Sequence, residues 1–197
     1  MRTLVTFVRH AKSYNHKKGQ ALHPGPGLTK RGEEQAEKTA RFLKGFEFDL
    51  ILSSDMTRAL KTAEIITDNQ KRDLSVHKEL AEHHVDVYEK TLFKENLTEA
   101  PGTLSQARET MNFFRKVLQK HKGKKILIVS HGNVIRGCVG TAMGFSLRKS
   151  PELNLFNCSL SSFIVDGEKL SSIYYLNSID HYKNLSFKKK FKSAKFK

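Results

Sequence analysis

His10 follows Arg9 directly after the apolar run Leu4-Val5-Thr6-Phe7-Val8. An imidazole with one unprotonated ring nitrogen can attack phosphorus, and a guanidinium beside it can grip phosphate oxygens with its planar fork. The arrangement returns twice. Leu50-Ile51-Leu52 leads into Ser53-Ser54-Asp55-Met56-Thr57-Arg58, and Ile126-Leu127-Ile128-Val129 leads into Ser130-His131-Gly132. Phosphoryl transfer depends mainly on positioning and on neutralising charge across the equatorial oxygens, a task for two guanidinium groups, and Arg9 and Arg58 are the candidates. His131 can add a hydrogen-bond donor, and the amides of Gly132 and Asn133 open a helix whose positive end favours anions. A departing alkoxide needs a proton, so the chemistry also calls for a carboxylic acid whose pKa is raised toward the working pH.

These residues can meet only if the apolar runs are neighbouring strands. The pattern predicts a first strand over Thr3 to Val8, then a long polar loop from Lys12 to Gly27 broken by Pro24-Gly25-Pro26-Gly27. Thr29 is the expected N-cap of a helix with Ala36, Ala40 and Leu43 on one face, closed by Gly45. The second strand follows over about Asp49 to Leu52, and Ser53 or Ser54 is expected to cap a helix whose inner stripe is Ala59, Leu60, Ala63 and Ile66. A short strand is expected over Asp73 to Val76. Residues from Glu79 to Gly102 have no regular period and suggest an insertion lying over the site. Ser105 is expected to start a helix with Ala107, Met111, Phe114, Val117 and Leu118 inward. The third core strand, Lys125 to Val129, feeds a helix ending near Gly144. Two further runs, Ser161 to Val165 and Leu170 to Leu176, flank Asp166-Gly167 as a hairpin or as neighbouring strands. Strands alternating with helices imply a three-layer α/β sandwich with a largely parallel central sheet, in which ligands bind outside the carboxyl ends of the strands.

The bulk numbers narrow the function classes. With 197 residues and 38% hydrophobic content the chain fits one domain with a full core. No apolar stretch approaches the roughly 20 residues that span a bilayer, and the N-terminal apolar segment is too short for a secretory signal before Arg9 intervenes. The two cysteines, Cys138 and Cys158, sit among small or apolar neighbours and read as buried thiols, which points to the cytoplasm. The net charge of +15 is uneven. Seven lysines and no acids lie between Lys183 and Lys197, leaving 28 basic against 20 acidic residues elsewhere, or +8. That Lys-rich tail is expected to be a solvated terminus, with contact to nucleic acid or an anionic surface as its alternative role. The positive body suits a protein that draws in phosphate dianions. His83-His84 matches no metal-ligand spacing, and the proposed chemistry calls for neither metal nor cofactor.

Together the motifs resemble the histidine phosphatase superfamily, in its phosphoglycerate mutase-like branch. Arg9-His10, Asn15 and Leu28-Thr29-Lys30-Arg31-Gly32-Glu33-Glu34-Gln35-Ala36 are similar to its first block. Ser53 to Ala63 is similar to its second and Ser130-His131-Gly132 to its third. The resemblance implies that His10 becomes phosphorylated within a phosphate pocket of Arg9, Arg58 and His131, with Asn15 as a further hydrogen-bonding member. In this branch the acid is a glutamate in a Leu-x-Glu segment followed, seven residues on, by an aromatic-Glu pair. Leu80-Ala81-Glu82 and Tyr88-Glu89 fit, which assigns Glu82 as proton donor and base, with Asp86 or Glu89 as alternatives. The usual glycines nearby are Asp86 and Lys90 here, and the frequent Gly-Glu-Ser is Gly102-Thr103-Leu104, so one substrate-contacting glutamate is missing. Asn157-Cys158-Ser159 and Asn177 to His181 resemble segments of the small, cofactor-independent phosphatases of the family.

The resemblance thus implies a histidine phosphatase domain over residues 1–182, with an inserted substrate segment near 79–104, followed by the basic tail 183–197. The expected activity is metal-independent hydrolysis of a phosphomonoester, with a phosphorylated small molecule or a phosphoprotein as substrate. The alternatives are a phosphoglycerate mutase, a phosphohistidine-protein phosphatase, and a non-catalytic phosphate- or polyanion-binding protein. Arg9-His10-Ala11-Lys12-Ser13 resembles the phosphohistidine-protein branch, while Glu82 counts against it, because a phosphohistidine leaving group needs less help from an acid.

Overall fold

The three apolar runs that end in Arg or His become neighbouring parallel strands. The computed structural model describes residues 1–14, 24–68, 73–83, 103–145 and 153–182. Along these run β1 (Arg2–Arg9), α1 (Lys30–Leu43), β2 (Leu50–Ser54), α2 (Thr57–Thr67), β3 (Leu74–His77), α3 (Thr103–Lys120), β4 (Lys125–Ser130), α4 (Gly132–Ala142), β5 (Leu160–Asp166) and β6 (Lys169–Ser178). Short 3-10 turns occupy Lys78–Leu80 and Asp180–Tyr182. Asn15, His84, Asp86, Glu89 and most of the expected insertion lie outside the described residues, as does the Lys-rich tail.

The six strands form one sheet in the order β3-β2-β4-β1-β5-β6. β1 to β4 are mutually parallel, β5 is antiparallel to β1, and β6 is antiparallel to β5. Five strands therefore point one way and one points back. β1, β2 and β4 read as nearly continuous apolar runs because both of their faces are covered, as central parallel strands require.

Side-chain alternation along these strands feeds two cores. Val5 and Phe7 of β1, Ile126 and Ile128 of β4, and Phe163 of β5 pack against Met111, Phe114 and Leu118 of α3 and Val134, Ile135 and Cys138 of α4. On the opposite face Val8, Ile51, Leu127 and Val129 meet Phe42 and Leu43 of α1 and Ala63 and Ile66 of α2. The layers are thus α3–α4, sheet, α1–α2. Cys138 and Cys158 are both buried, with no disulfide between them. Among the described residues no helix is long and apolar enough to cross a membrane.

Several local expectations shift. Thr29 does cap α1, its Oγ1 accepting from the Gly32 amide at 3.1 Å. The buried stripe runs through Gly32, Ala36, Thr39, Phe42 and Leu43, while Ala40 is only half-buried. Ser53 and Ser54 do not cap α2; both belong to β2, and the N-cap is Met56, whose side chain makes no cap bond. The inner face of α2 carries Arg58, Ala59, Thr62, Ala63 and Ile66, and Leu60 turns half outward. Two polar residues thus occupy a face that apolar periodicity alone would assign to Leu60. The helix expected from Ser105 begins at Thr103, and the last two runs pair as a β5–β6 hairpin.

Candidate active site

Four consecutive strands of the sheet deliver the candidate residues from their carboxyl ends. Glu82 follows β3 and its 3-10 turn, Arg58 lies in the first turn of α2 after β2, His131 is the N-cap of α4 after β4, and Arg9-His10 ends β1. Because β4 lies between β1 and β2, residues far apart in the chain become neighbours. The structure brings His10, Arg9, Arg58, His131 and Glu82 together, whereas Asn15 lies outside the described residues.

His10 is 6% exposed and both of its ring nitrogens meet groups with only one hydrogen-bonding role. Nδ1 is 2.8 Å from the Ala11 carbonyl, which can only accept, so Nδ1 carries the proton. Nε2 receives the Arg58 Nε–H at 3.2 Å, and arginine can only donate, so Nε2 presents its lone pair. That is the tautomer a nitrogen nucleophile requires.

The turn carrying this ring is held from two sides. The Ala11 amide donates to Thr62 Oγ1 at 3.0 Å, and the same hydroxyl donates to the Arg58 carbonyl at 2.6 Å. From the other side, Asn157 Nδ2 donates to the His10 carbonyl at 2.9 Å and the Cys158 amide to the Arg9 carbonyl at 2.9 Å. Arg9 Nη1 donates to the Leu155 carbonyl. The loop after β1 is anchored in turn on α1: the Lys12 carbonyl accepts from the Thr29 amide at 2.9 Å, and a Cβ on Gly32 would meet that oxygen at 2.0 Å. Glycine at 32 is therefore a steric requirement of this close approach.

His131 is fully buried, its ring 5.0 Å from that of His10, centroid to centroid. Burial pushes its pKa well below the ordinary histidine value, and the neighbouring His10, Arg58 and Arg9 push the same way. Its Nε2 lies 2.9 Å from Ser54 Oγ, and its Nδ1 is buried without a partner. Arg9 Nε and Arg58 Nη1 are likewise buried without partners. Leaving a buried polar group unsatisfied costs about 1–3 kcal/mol, more when it is charged. Three such nitrogens around one imidazole form a site that a multivalent anion would complete.

Glu82 faces this cluster. Burial raises its carboxyl to about 7, against the opposing pull of Arg58, Arg9 and two backbone amides. One of those amides is that of Asn133 in the first turn of α4, 3.3 Å from Oε1. The segment around Glu82 is fastened by polar contacts that the sequence pattern did not single out. Asn133 Nδ2 donates to the His83 carbonyl at 2.8 Å, and Ser130 Oγ donates to the Leu80 carbonyl at 2.7 Å. Burial also lowers the pKa values of Arg9 and Arg58, while Glu82 raises both. Among the described residues no group of three or more His, Cys, Asp or Glu side chains could hold a metal ion.

Residues 5–177 match the model of the histidine phosphatase superfamily (branch 1). Over 180 residues the chain is 31% identical to the uncharacterized phosphatase PhoE of Bacillus subtilis (strain 168), an alignment covering 85% of this chain and 91% of that protein. It is 30% identical over 180 residues to a 2-carboxy-D-arabinitol-1-phosphatase of Triticum aestivum, which covers 80% of this chain but only 36% of the wheat protein. The chain thus spans about a third of that relative's length. Among solved structures, a phosphoserine phosphatase mutant from Entamoeba histolytica in complex with phosphoserine shares the fold at a TM-score of 0.73 and 22% identity, covering 91% of this chain and 98% of that one. The matched region begins within β1 and ends within β6, and so takes in every strand-end residue described above. The chain belongs to branch 1 of the histidine phosphatase superfamily.

Proposed function

We propose that this chain hydrolyses a phosphomonoester of a small molecule through a phosphohistidine on His10, with Glu82 as proton donor and then base, and without a metal ion. The observation that carries the reading is the tautomer of His10, whose Nε2 lone pair accepts from the Arg58 Nε–H in a site that also holds the buried, unsatisfied nitrogens of Arg9, Arg58 and His131. Arg9, Arg58 and His131 hold the phosphoryl oxygens, and Asn15 is assigned to the same pocket.

In the first half-reaction Nε2 bonds to phosphorus as the ester P–O bond breaks. The leaving alkoxide takes the Glu82 proton. In the second, Glu82 carboxylate removes a proton from water, the oxygen bonds to phosphorus, and the P–N bond breaks. Phosphate leaves, Nε2 regains its lone pair, and Glu82 is again protonated. A carboxyl that titrates near 7 suits both halves, since it is about equally able to give and to take a proton at neutral pH. A half-buried acid beside the site, its pKa raised to about 7, also favours alkyl esters over phosphohistidine as substrate.

The test is phosphate release from p-nitrophenyl phosphate, phosphoserine and 3-phosphoglycerate in excess chelator. Turnover is expected for the wild type and should fall by about 10⁴-fold or more in His10→Ala. Undiminished release by the variant would sink the reading. Conversion of 3-phosphoglycerate to its isomer without phosphate release would replace hydrolysis by mutation.

A further inference from the structure

Ser54, the last residue of β2, is fully buried, and its hydroxyl stands between two elements of the site. The Met56 amide donates to its Oγ at 3.2 Å, which uses one of its acceptor positions. The hydroxyl has a single proton to give, and His131 Nε2 lies 2.9 Å away. Burial keeps the His131 ring neutral, so the ring carries one proton that must choose between its nitrogens.

We propose that Ser54 is a positioning residue that fixes His131 as its Nδ1–H tautomer, so that the ring offers a hydrogen-bond donor to a phosphoryl oxygen. Two independent features support this. With the proton on Nδ1, the Ser54 hydroxyl donates to Nε2 while accepting from Met56, so both groups are satisfied at once. The nitrogen left over is Nδ1, buried and unpartnered in the same cluster as Arg9 Nε and Arg58 Nη1. The opposite tautomer would fill both lone pairs of the serine oxygen with N–H groups, leave the hydroxyl proton without an acceptor, and turn a bare lone pair toward an arriving anion. His10 and His131 then carry the same tautomer for opposite ends: His10 turns its lone pair to phosphorus, and His131 turns its N–H to an oxygen.

This inference rests on the phosphate-pocket reading and assigns a role within it. It is tested with the full chain labelled with ¹⁵N-histidine, using long-range ¹H–¹⁵N correlations of the imidazoles, with His131 assigned by loss of its signals in His131→Gln. In the wild type, His131 is expected to show a protonated Nδ1 and a bare Nε2. Ser54→Ala should mix or reverse that pattern, weaken competitive inhibition by inorganic phosphate, and lower kcat by about tenfold. That is less than the roughly 10²–10³-fold loss of deleting a preorganised donor outright, because part of the population keeps the productive tautomer. Ser54→Thr, which keeps the hydroxyl, should restore all three. A proton on Nε2 in the wild type overturns the proposal, as does an unchanged tautomer in folded Ser54→Ala. The wild-type spectrum decides even if the alanine variant fails to fold. A chain with the expected tautomer but no phosphatase turnover would sink the catalytic reading alone.

Discussion

The two ends of the same sheet treat charge in opposite ways. At the amino ends of the strands, charged groups are exposed and paired: the N-terminal amine with Asp166 at 3.0 Å, Lys124 with Asp49 at 3.6 Å, and nearby Arg115 with Glu168 at 3.6 Å. Such pairs stay in water and contribute about 0–1 kcal/mol each. At the carboxyl ends Arg9, Arg58 and Glu82 are drawn out of water, and several of the nitrogens around them have no partner. One end spends nothing and gains little. The other holds buried nitrogens without a protein partner, a cost that a bound anion would relieve, and this difference sets it apart as the candidate working end. Amphipathic logic explains the first arrangement, and only chemistry explains the second.

Arg58→Lys should widen this contrast the most. Lysine keeps the charge but loses the fork and the Nε–H that faces His10, so kcat/KM on any phosphomonoester should fall by about 10²–10³-fold. An effect below threefold would mean that charge alone suffices at this position. Glu82→Gln comes next. Loss of general acid catalysis should lower kcat/KM, which reports the first half-reaction, by about 10²-fold on phosphoserine, and much less on p-nitrophenyl phosphate, whose leaving group needs little protonation. Equal losses of kcat/KM on both esters would remove Glu82 as the proton donor to the leaving group.

The same variant probes stability, with a sign fixed by the shift. The folded Glu82 holds its proton up to about 7, against an ordinary glutamate value of 4.5. Between those values the folded chain binds a proton that the unfolded chain releases, so this contribution to stability is complete below about 4.5 and lost as pH rises through about 7. Glu82→Gln should therefore melt above the wild type at pH 8, with the gap closing toward pH 5. A gap that grows on acidification would reverse the argument. The smallest effect belongs to the other end of the sheet. Asp49→Asn removes the exposed pair with Lys124 while leaving an oxygen to accept from the Lys125 amide, so stability should change by about 0.5 kcal/mol or less, with kcat untouched.

The strand ends were legible because each strand is an unbroken apolar run with a conspicuous cation or imidazole behind it. Glu82 was legible only through the spacing of Leu80-Ala81-Glu82 to Tyr88-Glu89 within the family pattern, since a lone glutamate in an irregular stretch carries no local signal. The side-chain roles of Thr62, Ser54, Ser130 and Asn133 were not legible, although the Asn133 amide was placed at the anion-favouring helix end and the other three fell within the motif blocks. Each acts by reaching a backbone or ring that is distant in sequence, and serine, threonine and asparagine are common enough at such positions to announce nothing. The start of α2 was misread for the same reason. Ser53 and Ser54 have the composition of an N-cap, yet β2 continues through both and the helix opens at Met56. One hint was present: an arginine and a threonine at helical spacing, Arg58 and Thr62, on a face that otherwise belongs to the core.

The place of β4 in the sheet governs how the molecule comes into being. β1 and β2 never touch as partners; each pairs with β4, whose last residue is Ser130. In a chain emerging from the ribosome the candidate residues therefore cannot meet until Ser130 has been made, however long His10 and Arg58 have been available. Closing contacts over such separations is slow. Once made, they give the anion a hold on nearly the whole fold, so a bound phosphate analogue should delay unfolding of the sheet as a unit.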